Sequence, residues 1–486
     1  MNTINFFFNS FGTTIVIPTT IFIIALFVGY DPKKSLLYGL YAGIGLTGFS
    51  WIINQFTPIV IKIVYKMVNN TGIKRPIVDI GWEAGAVASF GSAIGLTFFI
   101  FGLLVEIILF ATRITKVFMP SNLWNNFIFM LWGTLAFYIT HDWWLSLGLS
   151  FFMLLYTLLF AEIQADRWAT YYKSKNITVC SAQNIVQTIP AILLDPLWNR
   201  LGFNRTTLTP TTLKQKLGIF GEPPILGAAL GLFISLIANI KALNQVSAWE
   251  QIFQFTIQLS AVITIFPLIA TVFNMAFTPL AEQIDKSRKQ KQKSNTVIEI
   301  NPIHDKKRWF LAVDDSVGYG ESATIISGII LIPIMLILAF LLPGNKTLPI
   351  VDLVLLPFMV ESIVAITNGN ILKIIATSIV WFSLGLYTAS WLGPIYTNAI
   401  AHYGVSIPAG IILVTSFSLM AQPFNALIFV AFISRSPFWI SLCIIIYLIL
   451  LLIFMHISLN IGNDCLFPFS LPSTNTVIAY LGLFSG

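Results

Sequence analysis

The sequence predicts an all-α polytopic membrane protein with about 10–12 transmembrane helices, re-entrant hairpins and two structurally related halves. Three observations carry that prediction. Hydrophobic residues make up 56% of the 486 and charged residues only 10%, where soluble domains carry about 25% charged residues. The apolar residues run from end to end, for a mean hydropathy of +0.83. Two short polar segments far apart in the chain also resemble one another.

A crossing helix needs roughly 20 apolar residues, and the first such run lies at 12–29. It has no basic stretch before it and no small-residue cleavage site, so it reads as a retained span rather than a signal peptide. Further spans fall at 36–56, 84–111, 123–140, 143–161, 222–240 and 251–277. A second series falls at 320–342, 349–367, 371–392, 407–433 and 437–457. Trp51, Trp124, Trp143, Trp144, Trp309 and Trp439 lie near span ends, where amphipathic rings settle at headgroup level. Within the first series, between the spans at 143–161 and 222–240, residues 178–198 hold polar Ser181, Gln183, Asn184 and Gln187 beside Pro190. That composition predicts a re-entrant hairpin, because irregular backbone at membrane depth survives only inside protein or along a wet cavity.

The formal charge of +7 comes from 27 Lys+Arg against 20 Asp+Glu. Eight Lys or Arg fall between Lys286 and Arg308, and only Lys346, Lys373 and Arg435 follow. Since Lys and Arg gather on the cytoplasmic side, 282–309 is expected to be a cytoplasmic loop. The chain then reads as one transmembrane domain over 1–486: a first half to about 215, central spans 216–281, the basic loop, and a second half 310–486. Nucleic-acid binding is excluded, because it needs a basic face interleaved with exposed aromatics. Cys180, Cys443 and Cys465 show no CxxC spacing and read as inert buried thiols. The four His are dispersed, and neither a phosphate loop nor a nucleophile elbow is present, so no metal, cofactor or catalytic residue is expected.

The two polar segments are VDIGWEAGAVAS from Val78 and VDDSVGYGESATIIS from Val313. Each sets Asp after Val, then Gly, an aromatic residue (Trp82, Tyr319) and Glu, before small residues lead into an apolar span. Internal repeats of this kind build many transporters, whose sites form where interrupted helices of the two halves meet. Carboxylates among apolar residues are costly and mark function by default. Here they are Asp79, Glu83, Glu106, Asp142, Glu222, Asp315, Glu321, Asp352 and Glu361. Asp142 and Asp352 read as interfacial loop residues, Glu106 as locally paired or snorkelling, and His141 as an interfacial histidine. Glu83, Glu222 and Glu321 lie beside Gly or Pro at helix breaks, where a carboxylate can meet a substrate hydroxyl.

The segment KLGIFGEPPILGAALGLFISLIA at 216–238 resembles the K-x-G-x-F-G-E-P signature of the galactitol-type membrane permeases, the enzyme IIC components, of the bacterial phosphoenolpyruvate-dependent sugar phosphotransferase system. VDIGW at Val78, Val-Asp at Val313, LLPGNKTLPIVDL at Leu341 and NGN at Asn368 follow in family order, so that the resemblance covers roughly 16–410. It implies a homodimeric permease of the bacterial plasma membrane that binds galactitol or a related polyol outside and presents it to the cytoplasm. There a separate IIB protein, recharged by IIA, phosphorylates it. No soluble stretch in these 486 residues is long enough for a IIA or IIB domain, so those partners are expected as other chains.

A polyol offers only hydroxyls, so its site should join carboxylates and amides to an aromatic surface. The expected set is Asp79, Trp82, Glu83, Glu222, Asp315 and Glu321, with Ser181, Gln183, Asn345 and Asn370 as a second tier. The family carries Pro-His-Gly where this chain has Cys180-Ser181-Ala182, and Gly-His where it has Gly320-Glu321. Galactitol, arabitol, another pentitol or hexitol, and a related sugar all remain open as substrates. The rival reading is a proton-coupled secondary transporter in which Glu83, Glu222 or Glu321 titrates.

Overall fold

Apolar runs become helices in a bilayer because every backbone N–H and C=O must find its partner within the segment. Their breaks fall at Gly, Pro and capping residues. A computed structural model of the chain describes residues 13–27, 29–71, 76–119, 126–174, 176–204, 222–276, 309–313, 318, 321–403, 405 and 413–460. The basic stretch 282–308 lies outside them.

The chain opens with α1 (Thr13–Phe27) and the 40-residue α2 (Pro32–Thr71). Strand β1 (Ile77–Asp79) follows, then α3 (Glu83–Gly91) and α4 (Ala93–Ala111). The span predicted at 84–111 is thus two helices. Ser92 separates them in extended conformation, and its Oγ accepts from Gly95 N at 2.9 Å to cap the second. After β2 (Val117–Phe118) come α5 (Asn126–Thr140) and the 29-residue α6 (Trp143–Tyr171). Then β3 (Ile177–Val179) leads into the four-residue α7 (Ala182–Ile185) and α8 (Thr188–Arg200). Helices α9 (Pro223–Ala238) and α10 (Val246–Asn274) precede β4 (Phe310–Val313).

The last part runs α11 (Ser322–Leu341), β5 (Thr347–Leu348), a 3-10 turn (Asp352–Leu355), α12 (Leu356–Met359), α13 (Glu361–Ile366) and the 32-residue α14 (Ile371–His402). It ends with β6 (Leu413–Thr415), α15 (Phe417–Met420), α16 (Pro423–Ile433) and α17 (Pro437–Asn460). The spans predicted at 349–367 and 407–433 are therefore not single helices. Pro357 and Pro423 lack the donor a continuing helix needs, and side chains take several of the N–H groups between. Among the described residues, α4, α6, α11, α14 and residues 437–456 of α17 are long and apolar enough to cross a membrane. Trp51, Trp144 and Trp439 stand exposed.

The six strands make two parallel sheets, ordered β5-β1-β6 and β2-β4-β3. Ile77 pairs with both Thr347 and Leu413, while Asp79 pairs with Thr415. In the other sheet Leu311 pairs with Phe118 and Ile177, and Val313 with Val179. The two similar segments thus begin on the two central strands, and each central strand lies between strands from the other part of the chain. Around them the core gathers Phe129, Trp132, Phe382, Tyr396, Phe417 and Phe429, all buried, where α5, α14, α15 and α16 meet. Helices α1, α2, α9 and α10 pack on one another beside this core. Lys66 of α2 donates there to Asn239 and, at 2.8 Å, to Gln251 Oε1, which solvates its charge with amides.

Candidate functional site

Several polar residues expected at a site serve the fold. Asp79 Oδ1 accepts from Gly81 N and Phe417 N, both at 3.1 Å, and its Oδ2 accepts from Ile350 N at 3.0 Å and Asp352 N at 2.8 Å. A carboxylate has about four acceptor positions, so all are filled by backbone. Asp352 is fully buried rather than interfacial, and its Oδ2 accepts from Ser416 Oγ at 2.6 Å and from Ser418 N and Oγ at 2.9 Å. Asn345 donates to Ala339 O and Thr347 O at 2.8 Å and accepts from Thr347 N and Ser390 Oγ, closing the turn before β5. Asn370 caps α14 by accepting from Lys373 N at 3.2 Å and donates to Phe203 O at 3.0 Å. Asp142 caps α6 in the same way, accepting from Leu145 N at 3.1 Å.

A second polar group surrounds the short helix α7. Glu321 sits at the N-terminus of α11, its Oε2 accepting from Thr324 N at 2.9 Å and Thr324 Oγ1 at 3.0 Å. The Tyr172 hydroxyl lies 2.8 Å from Thr324 Oγ1 and 3.3 Å from Glu361 O, and Tyr171 sits beside the Glu321 carboxylate. Glu361, fully buried, opens α13 and accepts from Asn184 Nδ2 at 3.5 Å. Asn184 Oδ1 in turn accepts from Ser362 N at 2.9 Å and Ser362 Oγ at 2.6 Å. Helix N-termini supply N–H groups and the positive end of the dipole, which favours both carboxylates where they stand. Two glycines give the room: a Cβ on Gly318 would fall 2.5 Å from the Glu361 carboxyl carbon, and one on Gly369, at φ 71°, would strike the Tyr171 hydroxyl.

The remaining expected residues divide. Ser181 precedes α7 and is fully buried, and the Gln183 carbonyl accepts from Gln187 and Gln422 side chains. Trp82 precedes α3 and meets the Phe127 ring at 5.8 Å. Glu83 is the first residue of α3, and Glu222 stands half-buried before Pro223 at the start of α9. Asp315, and 216–221 of the signature, lie outside the described residues. The sequence places Glu361 among the carboxylates that mark function but outside the expected site set, and it gives Tyr171 and Tyr172 no role. A lone Glu in the apolar stretch PFMVESIVAI was the available signal for the first; tyrosines at a span end carry none of their own.

The EIIC-GAT family, described as the PTS system sugar-specific permease component, matches residues 6–410. The PTS system galactitol-specific EIIC component of Escherichia coli strain K12 is 24% identical over 402 residues, covering 82% of this chain and 85% of that protein. Its counterpart in Escherichia coli O157:H7 is similar to the same extent, at 24% over 402 residues. With the family's match spanning most of its length, and with five helices among the described residues long and apolar enough to cross a membrane, the chain belongs to the galactitol-type EIIC permeases of the phosphotransferase system and is a multi-pass protein of the plasma membrane.

Proposed function

We propose that the protein binds galactitol or a related neutral polyol on the outside and delivers it to the cytoplasm, where a separate IIB protein, charged by IIA, phosphorylates it. The observation that carries this reading is the group formed by Glu321, Glu361, Asn184, Ser362, Tyr171 and Tyr172. Carboxylates accept from hydroxyls, phenols both donate and accept, and tyrosine rings offer a surface to C–H faces. Glu83, Glu222, Trp82, Ser181, Gln183 and Asp315 are further contacts in this proposal. Asp79, Asn345 and Asn370 hold the loops that frame it. The protein works as a homodimer, as the family resemblance implies. Phosphorylation adds charge that cannot recross hydrocarbon, which makes uptake one-way.

The test is uptake of radiolabelled polyols by cells expressing the protein, with and without its cognate IIA and IIB. Phosphorylated product that depends on IIB is the expected result and names the substrate. Free polyol accumulating without IIB, and lost on adding an uncoupler, would replace this reading with proton-coupled transport.

A further inference from the structure

Four buried amides, Gln164 of α6, Gln187 before α8, and Gln422 and Asn425 at the start of α16, each have one end held by the protein. The Nε2 groups of Gln187 and Gln422 both donate to Gln183 O, at 3.0 and 3.2 Å, and Gln422 donates also to Ser418 O at 2.8 Å. Gln164 Oε1 accepts from Thr188 Oγ1 at 2.9 Å, and Asn425 Oδ1 accepts from the Tyr156 hydroxyl. The other ends are Gln187 Oε1, Gln422 Oε1, Gln164 Nε2 and Asn425 Nδ2. None has a hydrogen-bond partner among the described residues, and neither does Ser181 Oγ. All five residues are fully buried.

A buried polar atom left unpaired is costly, above all at membrane depth, and requires an explanation. Five such atoms on neighbouring elements form an inventory: two carbonyl acceptors, two amide donors and a hydroxyl. That set suits a ligand whose groups each donate and accept, which is the definition of a hydroxyl. Because the far end of every amide is already bonded, little side-chain freedom is lost when a ligand arrives. Gln183 lies on α7 and Gln187 immediately before α8, while Asn184 of α7 meets Glu361.

We propose that Gln164, Gln187, Gln422 and Asn425, with Ser181, form a second hydroxyl-binding subsite for the transported polyol, beyond the group around Glu321 and Glu361. The proposal rests on the polyol-transport reading above. Its test is equilibrium binding of radiolabelled galactitol, mannitol, sorbitol, xylitol and arabitol to the purified full-length protein. Wild type is compared with Gln187→Met and Gln422→Met, which keep the side-chain shape and remove the amide.

Each variant is expected to bind the preferred polyol about tenfold more weakly than wild type, while its melting temperature without ligand is unchanged or higher. Variants that fold and bind with wild-type affinity would overturn the subsite and leave the transport reading standing. A wild-type protein that binds none of the five polyols would overturn the transport reading and the subsite with it. Should a Met variant fail to fold, Gln164→Met makes the same comparison from α6.

Discussion

At the scale of single residues, the two most informative positions are Asp79 and Gly318, for opposite reasons. Asp79 receives four backbone N–H groups from three separate segments. In Asp79→Asn an NH2 group would face two of those donors, so a loss of more than about 3 kcal/mol of stability is expected, read as a lower melting temperature in detergent. Gly318 bonds to nothing through a side chain, yet a Cβ there would collide with the Glu361 carboxylate. Gly318→Ala is expected to reach the membrane and fold while losing most polyol uptake. Uptake at the wild-type rate would remove Glu361 from the proposed site.

At the scale of elements, one device starts both of the longest core helices. His141, at φ 52°, turns the chain before Asp142 caps α6, and Asn368, at φ 52°, with Gly369 turns it before Asn370 caps α14. His141 is thereby a turn residue in the left-handed region. Helix α14 is then tied to α8 by Lys373 Nζ, 2.8 Å from Asp195 Oδ1, with both side chains mostly buried. Beside them Trp198 Nε1 donates to Thr377 Oγ1 at 2.8 Å. Lys373→Met alone leaves the mostly buried Asp195 carboxylate with Arg167 as a neighbouring cation and is expected to destabilise by about 1–2 kcal/mol. Adding Asp195→Leu should recover part of that loss, and a double mutant as unstable as the sum of the two singles would show that the pair does not act together.

At the scale of the whole molecule, the two parts of the chain complete each other's sheets. Strand β1 fills the place between β5 and β6, and β4 fills the place between β2 and β3. A protein cut between Ala276 and Trp309 and expressed as two chains together is expected to assemble and transport. Either piece alone lacks a central strand and should be degraded, as membrane-fraction yield would report. Accumulation of a stable, monodisperse single piece would show that the exchanged strands are dispensable.

Hydropathy and the placement of Gly and Pro are local properties. The sequence by itself therefore determined the membrane class, the positions of unbroken apolar helices such as α11 and α17 and, through ordered motifs, the family. The similarity of the segments at Val78 and Val313 was legible too, and both begin on central strands. Local pattern failed where a helix had to stop for a distant partner. Residues 349–367 read as one span, yet Ile350 N and Asp352 N turn toward a carboxylate 271 and 273 positions away. Glu361 looked like one more isolated acid until Asn184, 177 positions earlier, was found donating to it. Only the tertiary structure decided which carboxylates brace the fold and which gather around α7, because hydrogen bonds between residues so far apart leave no periodicity or spacing in the chain to read.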